Sequence, residues 1–322
     1  MSFELLTPDS ILSAVEQATG VPLTSLAVSL PSYINRVYEL RAKDGTKLIV
    51  KFYRPGRWTR ESIMDEHRFI LDCQDAELPV VAPLAFPDGA TIADHNGILF
   101  SMFPKRSGRQ LEINTDQDWE RLGSLIARLH LCGEKRLAAS RITMSPRLST
   151  TDDVRHLCDG VVPARLVDSF RSIAMKLIDA GAPLFETLET IRIHGDCHRG
   201  NILDRLDEGL LLIDFDDMAM GPPVQDLWLL LPDRATKSEH EIGLFVSGYE
   251  RFRRFDRAGI RCIEPLRAMR MIYFLAWCGR QMNDFVFKRN FPDWGSDNFW
   301  QKEINDLREQ LGFVMESSDG ET

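Results

Sequence analysis

"IHGDCHRGNILD" (residues 193–204) sets Asp196 and Asn201 five positions apart between two short apolar runs. A tight turn needs Gly, Asn or Asp at only one or two positions. The surplus of polar groups therefore points to a site rather than to a connection. A second apolar run follows at once, "LLLIDFDDM" (residues 210–218), ending in Asp214-Phe215-Asp216-Asp217. Two β-rich runs separated by turn residues read as a hairpin, which predicts that Asn201 and Asp214 project from neighbouring strand ends. Two hard oxygen donors placed that way suit an octahedral magnesium ion that keeps its remaining positions for water and phosphate.

The offsets match a known arrangement for phosphoryl transfer. In the loop H-R-D-x-x-x-x-N the Asp orients or deprotonates the acceptor hydroxyl, the Asn binds magnesium, and a later D-F-G supplies the second metal carboxylate. Here His194-Gly195-Asp196 precedes Asn201 at the same offset, and Asp214-Phe215-Asp216 stands for D-F-G. Upstream, "LIVK" ends on Lys51, as V-A-I-K does where a lysine meets the nucleotide phosphates and is steadied by a helix glutamate. Glu66 is the candidate for that glutamate, with Glu61 second. Phosphoryl transfer is driven mostly by positioning and charge neutralisation, so a few dispersed polar residues suffice. Asp216 and Asp217 read either as further metal contacts or as a solvated turn. "HGDCH" bunches potential zinc ligands, but Gly195 and the strand context spoil the helical H-x-x-x-H geometry of zinc hydrolases.

Outward from the hairpin, the first hundred residues mix helix and strand. "TPDSILSAVEQATG" has Thr7 as N-cap, Pro8 at the first helical position and Gly20 as the stop. "INRVYELRA", "KDGT" and "KLIVKFYRP" form a hairpin around Asp44-Gly45. Helical spacing follows from Thr59 to about Cys73, and "LPVVAPLAFPDG" breaks into short strands. The remainder is mostly helical, with apolar periodicity ending at Gly133 and recurring near 163–180, 223–231, 238–255, 263–284 and 297–316. Arg267, Arg270 and Arg280 on the 263–284 segment are either snorkelling or capping arginines or a basic edge. The tail "ESSDGET" reads as frayed. The predicted class is α+β, bilobal, with a small mixed-sheet lobe over 1–104 and a mainly helical lobe over 105–322 that carries the hairpin.

Composition excludes several other classes. The chain has 322 residues, 39 Lys plus Arg against 48 Asp plus Glu, and a net charge of −9, so no broad footprint for nucleic acid or anionic membrane is expected. Its six cysteines lack C-x-x-C spacing, which argues against a zinc ribbon or a disulfide scaffold and for a reducing cytoplasm. The densest apolar run, "MIYFLAWC", is far short of the ~20 residues that span a bilayer.

"HGDCHRGNIL", "LIDFDD" and "GPPVQDLW" resemble the aminoglycoside phosphotransferase and choline kinase branch of the protein-kinase-like fold. Together with "SYINRVYEL", "VKFYRPGRW", "EHRF" and "EPLRAMRMIYFLAW", they are similar to the bacterial stress response kinase A family from about residue 30 to residue 300. The resemblance implies a monomeric, cytoplasmic serine/threonine protein kinase that uses ATP and Mg2+ in a stress response. It implies Asp196 as base, Asn201 and Asp214 at magnesium, Ser32 near the ATP phosphates and itself a phosphorylation site, and Asp226 as support beneath the loop. The alternative on the same fold is a small-molecule kinase of the aminoglycoside, choline or homoserine type. Three features depart from the pattern: no glycine in "LPSYINRVYEL", D-F-D in place of D-F-G, and no A-P-E motif.

Overall fold

The computed structural model describes residues 3, 6–32, 34–206 and 208–319. They divide into two compact units, the first made of Met1–Asn114, Ala127–Arg141 and Asp196–Met218, the second of Thr115–Ile126, Ile142–Gly195 and Ala219–Thr322. In chain order the first hundred residues carry α1 (Pro8–Thr19), β1 (Leu23–Leu30), β2 (Arg36–Ala42), β3 (Lys47–Phe52), α2 (Arg60–Asp75), β4 (Ala93–His95) and β5 (Ile98–Pro104). Thr7 caps α1 through the amide of Ser10, and Gly20 ends it in the left-handed conformation. Thr59 caps α2 through the amide of Ser62.

The five strands form one sheet in the order β1-β2-β3-β5-β4. Every pair in it is antiparallel, so the sheet is not mixed as expected. Lys51 faces Val37 on one side and Ser101 on the other, which anchors its backbone between two neighbours. Beneath it lies a core of Ile11, Val15, Leu40, Val50, Phe52, Phe100 and Met102, with Phe52 and Phe100 stacked at 5.0 Å. Burying each of these large side chains contributes ~1.5–3 kcal/mol.

The proline-rich run does not become strands. Residues 78–89 make one isolated bridge, Val80 to Leu212, and otherwise borrow single partners, as when the amide of Leu84 donates to Met102 O (2.7 Å). Pro79, Pro83 and Pro87 have no N–H for a ladder. β6 (Arg109–Gln110) pairs with β8 (Ile202–Arg205), which pairs antiparallel with β9 (Gly209–Leu212), so the hairpin predicted around the polar loop is present. β7 (Ile191–Ile193) pairs instead with β10 (Ala219–Gly221) in the second unit.

That unit is built from helices: α4 (Thr151–Cys158), α5 (Val167–Phe185), α6 (Gln225–Trp228), α7 (Glu239–Tyr249), α8 (Ile263–Gln281), α9 (Phe285–Asn290) and α10 (Asp297–Asp319), with α3 (Asp116–Gly133) divided between the two units. Its core joins Leu157, Phe170, Leu177, Ile272, Leu275, Trp300 and Leu307. α10 stays helical to Asp319, three residues beyond the start of the tail expected to fray; the last three residues lie outside the described set. Arg280 pairs with Asp153 at 2.6 Å, Arg267 lies over Trp228, and Arg270 lies over Tyr273. These arginines pack and cap rather than form a bare basic edge. Among the described residues no helix is long and apolar enough to cross a membrane.

Candidate active site

Lys51, Glu66 and Asp214 meet in the first unit. Lys51 is 8% exposed, and its ammonium lies 2.8 Å from Asp216 Oδ1, 3.3 Å from Asp214 Oδ1 and 3.9 Å from Glu66 Oε1. Burial alone would lower its pKa, but the carboxylates of Asp216, Asp214 and Glu66 outweigh that and hold it well above the usual lysine value. Glu66 comes from α2, where the apolar face carries it inward until it is 1% exposed. Burial pushes its carboxyl up to about 7 against the pull of Lys51 and Arg141.

The next residue on α2, His67, is held by Thr91 Oγ1 at Nδ1 (2.7 Å) and by the Tyr53 hydroxyl at Nε2 (3.2 Å). Burial, with Lys51 and Arg141 adding repulsion, brings its pKa down to about 3.

The hairpin places the other groups. Ile202 faces Leu212, and one step on the Ile213 amide donates to Asn201 O at 3.0 Å. The register therefore sets Asn201 beside the residue that precedes Asp214. Asn201 Nδ2 donates to Asp196 O at 2.9 Å and lies 3.4 Å from Asp196 Oδ2. His198 Nδ1 accepts the Gly200 amide at 3.0 Å, which leaves the ring proton on Nε2, 3.4 Å from the same Asp196 oxygen. In the second unit the buried Asp226 carboxylate accepts the amides of His194 (2.7 Å) and Gly195 (2.9 Å), the two residues before Asp196. Gln225 donates to Gly195 O, and Trp228 Nε1 donates to Gln225.

Asp214 is left-handed, φ 59° and ψ 70°, and its side chain is 56% exposed. An L-residue enters that region only when its surroundings hold it there. Phe215 is buried edge-on against Phe69 of α2 (5.7 Å, 82°). Arg141 donates to Met218 O (2.7 Å) and Asp216 O (2.5 Å) beneath the turn, with its guanidinium 4.0 Å over the Trp58 ring.

Among the described residues, no group of three or more His, Cys, Asp or Glu converges as a ready-made metal cage. The donor set nevertheless fits magnesium. The exposed Asp214 carboxylate and the amide oxygen of Asn201, whose nitrogen is turned to Asp196, are hard oxygens, and the ion takes water and phosphate for the rest.

Ser32 lies exposed in the link from β1 to β2. Two contributors, Arg57 and Arg141, escaped the sequence reading, and a third, Asp216, has neither of the environments expected of it. Asp216 is neither solvated nor open to a metal, being 6% exposed with Lys51 and Arg57 on its two oxygens. Arg57 lies in the quoted "VKFYRPGRW" but takes no role from it, and Arg141 lies in none of the quoted stretches.

Residues 28–263 match the phosphotransferase enzyme family. Stress response kinase A of Escherichia coli (strain K12) is 38% identical over 317 residues, covering 98% of this chain and 95% of that protein. Serine/threonine protein kinase RdoA of Salmonella typhimurium (strain LT2) is 36% identical over 323 residues, with the same coverage. Among solved structures, the amicoumacin kinase hAmiN in complex with AMP-PNP, Ca2+ and Ami shares the fold at a TM-score of 0.72 and 16% identity, over 94% of this chain and 92% of that one. A microcompartment-associated aminopropanol kinase does so at 0.68 and 18%, over 96% of each. Matched through most of its length by the one and aligned almost end to end with the others, the chain belongs to the phosphotransferase enzyme family, in its stress response kinase A group.

Proposed function

We propose that the chain is an ATP- and magnesium-dependent serine/threonine protein kinase of the cytoplasm, monomeric and acting in a stress response. The observation that carries this reading is the meeting of Lys51 with Asp214, 163 residues away, next to a hairpin whose strand ends hold Asn201 and the Asp196 loop. The relative named serine/threonine protein kinase RdoA supports a protein acceptor. In functional terms the nucleotide lobe is 1–104 and the catalytic and substrate lobe 105–322.

Lys51, steadied by Glu66, binds the nucleotide phosphates, and Ser32 in the β1–β2 turn lies near them and is a site of phosphorylation. Asn201 and Asp214 would hold magnesium, which when bound neutralises phosphate charge. Asp196 takes the proton from the acceptor hydroxyl, its carboxylate oriented by Asn201 Nδ2 and His198 Nε2. Asp226 keeps the preceding backbone in place.

The test is γ-labelled ATP with magnesium and purified protein, alone, with generic basic proteins, and with a panel of small alcohols and amino alcohols. Label on added protein or on Ser32 is expected. Label confined to a small molecule would assign the chain to the small-molecule kinases instead. Asp196→Ala should lower turnover ~100-fold or more.

A further inference from the structure

Arg57 stands in the link between β3 and α2, within "VKFYRPGRW", and the phosphotransfer reading gives it no role. Its guanidinium forks across two successive carboxylates, Nη1 on Asp216 Oδ2 and Nη2 on Asp217 Oδ1, the latter at 2.5 Å. The side chain is only 14% exposed. Asp216 in turn gives its other oxygen to Lys51 at 2.8 Å, so both of its oxygens face cations and neither is left for an ion. Asp214, two residues earlier, keeps an exposed carboxylate in a strained backbone conformation.

A planar fork fixes both carboxylates in one geometry, which a point charge cannot do. Fixing 216 and 217 fixes the turn into which the left-handed Asp214 leads. Arg57 also shares the neutralisation of Asp216, so that Lys51 does not have to carry it alone while facing Asp214 and Glu66.

We propose that Arg57 is a positioning residue for phosphoryl transfer: by clasping Asp216 and Asp217 it presents Asp214 to the metal and leaves Lys51 charge available to the nucleotide. The proposal rests on the reading of Lys51 and Asp214 as the nucleotide and metal residues. Arg57 itself touches neither substrate nor metal in it. Asp216, the third residue of D-F-D, is then an electrostatic brace and not a second magnesium ligand.

The test measures ADP binding by calorimetry, in EDTA and across a magnesium titration, with melting temperature recorded beside it. Arg57→Gln should raise the magnesium concentration for half-saturation about tenfold, the scale of lost support behind a metal ligand, and should weaken ADP binding in EDTA as Asp216 draws on Lys51. Arg57→Lys should fall between Arg57→Gln and the unaltered protein. In Arg57→Ala, millimolar methylguanidine should restore most of the lost magnesium affinity while leaving the unaltered protein unchanged, a response that a purely structural role does not produce.

Should Arg57→Gln fail to fold, Arg57→Lys and Asp217→Asn carry the measurement, and Asp217→Asn should raise the magnesium requirement severalfold. Arg57 variants with an unchanged magnesium requirement, whatever their melting temperature, would overturn the proposal while a raised requirement in Asp214→Ala left the reading of the site intact. If Asp214→Ala also left the requirement unchanged, the reading itself would fall and the proposal with it.

Discussion

Glu66 and His67 are adjacent on α2, and burial drives both toward neutrality from opposite sides, Glu66 up to about 7 and His67 down to about 3. The effects on stability have opposite signs. Between about 3 and 6.5 the unfolded state binds a proton that folded His67 refuses, so its contribution is full above 6.5 and is lost as pH falls, by ~1.4 kcal/mol per unit. Between 4.5 and about 7 the folded state holds a proton on Glu66 that the unfolded chain has released, so stability falls as pH rises through that window. From 4.5 to 6.5 the two slopes offset each other. His67→Gln should therefore make the protein more stable at pH 5 relative to pH 7 than the unaltered chain, by roughly 2 kcal/mol. Glu66→Gln should shift the balance the other way by a similar amount, and it should lose activity because Lys51 loses a partner. Urea midpoints at the two pH values measure both.

At the scale of elements, α3 and α7 show how closely two helices can approach when each contributes a glycine. A Cβ on Gly123 would stand 1.9 Å from Phe245 O, and one on Gly248 would stand 2.0 Å from Glu120 O. Ser124 Oγ adds a hydrogen bond to Gly248 O at 2.9 Å. Backbone cannot yield as a side-chain tip does, so Gly248→Ala should part the helices and cost ~1–3 kcal/mol or more. Gly243→Ala on the same helix meets open space and should be neutral or stabilising by up to ~1 kcal/mol. Thermal melts of the two variants distinguish a packing contact from a simple propensity effect. The β8–β9 hairpin works by register instead: a slip of one residue would move Asn201 away from Ile213 and turn every side chain of the strand to the opposite face.

For the whole molecule the useful quantity is linkage. A ligand that binds only the folded chain raises stability by ~2.7 kcal/mol at one hundred times its dissociation constant. ADP with magnesium should raise the melting temperature of the unaltered protein and of Asp196→Ala alike. The magnesium-dependent part of that rise should vanish in Asp214→Ala. None of the six cysteines is in a disulfide, and burial pushes Cys262 and Cys278 up to about 12. Reductant should therefore leave the melting temperature unchanged.

The sequence by itself determined the parts whose signals are local. Thr7, Pro8 and Gly20 bounded α1, Asp44-Gly45 turned the β2–β3 hairpin, and the offset from Asp196 to Asn201 marked the loop, because caps, turns and motif spacing are written in near neighbours. Tertiary structure alone decided which charges are buried together. Arg57 reaches Asp216 across 159 residues, Arg141 reaches the carbonyls of the D-F-D turn, and the proline-rich run that looked like strands is left with one bridge. No periodicity encodes an ion pair between distant segments. Whether a carboxylate is solvated or braced depends on what the rest of the chain brings against it once the core has closed.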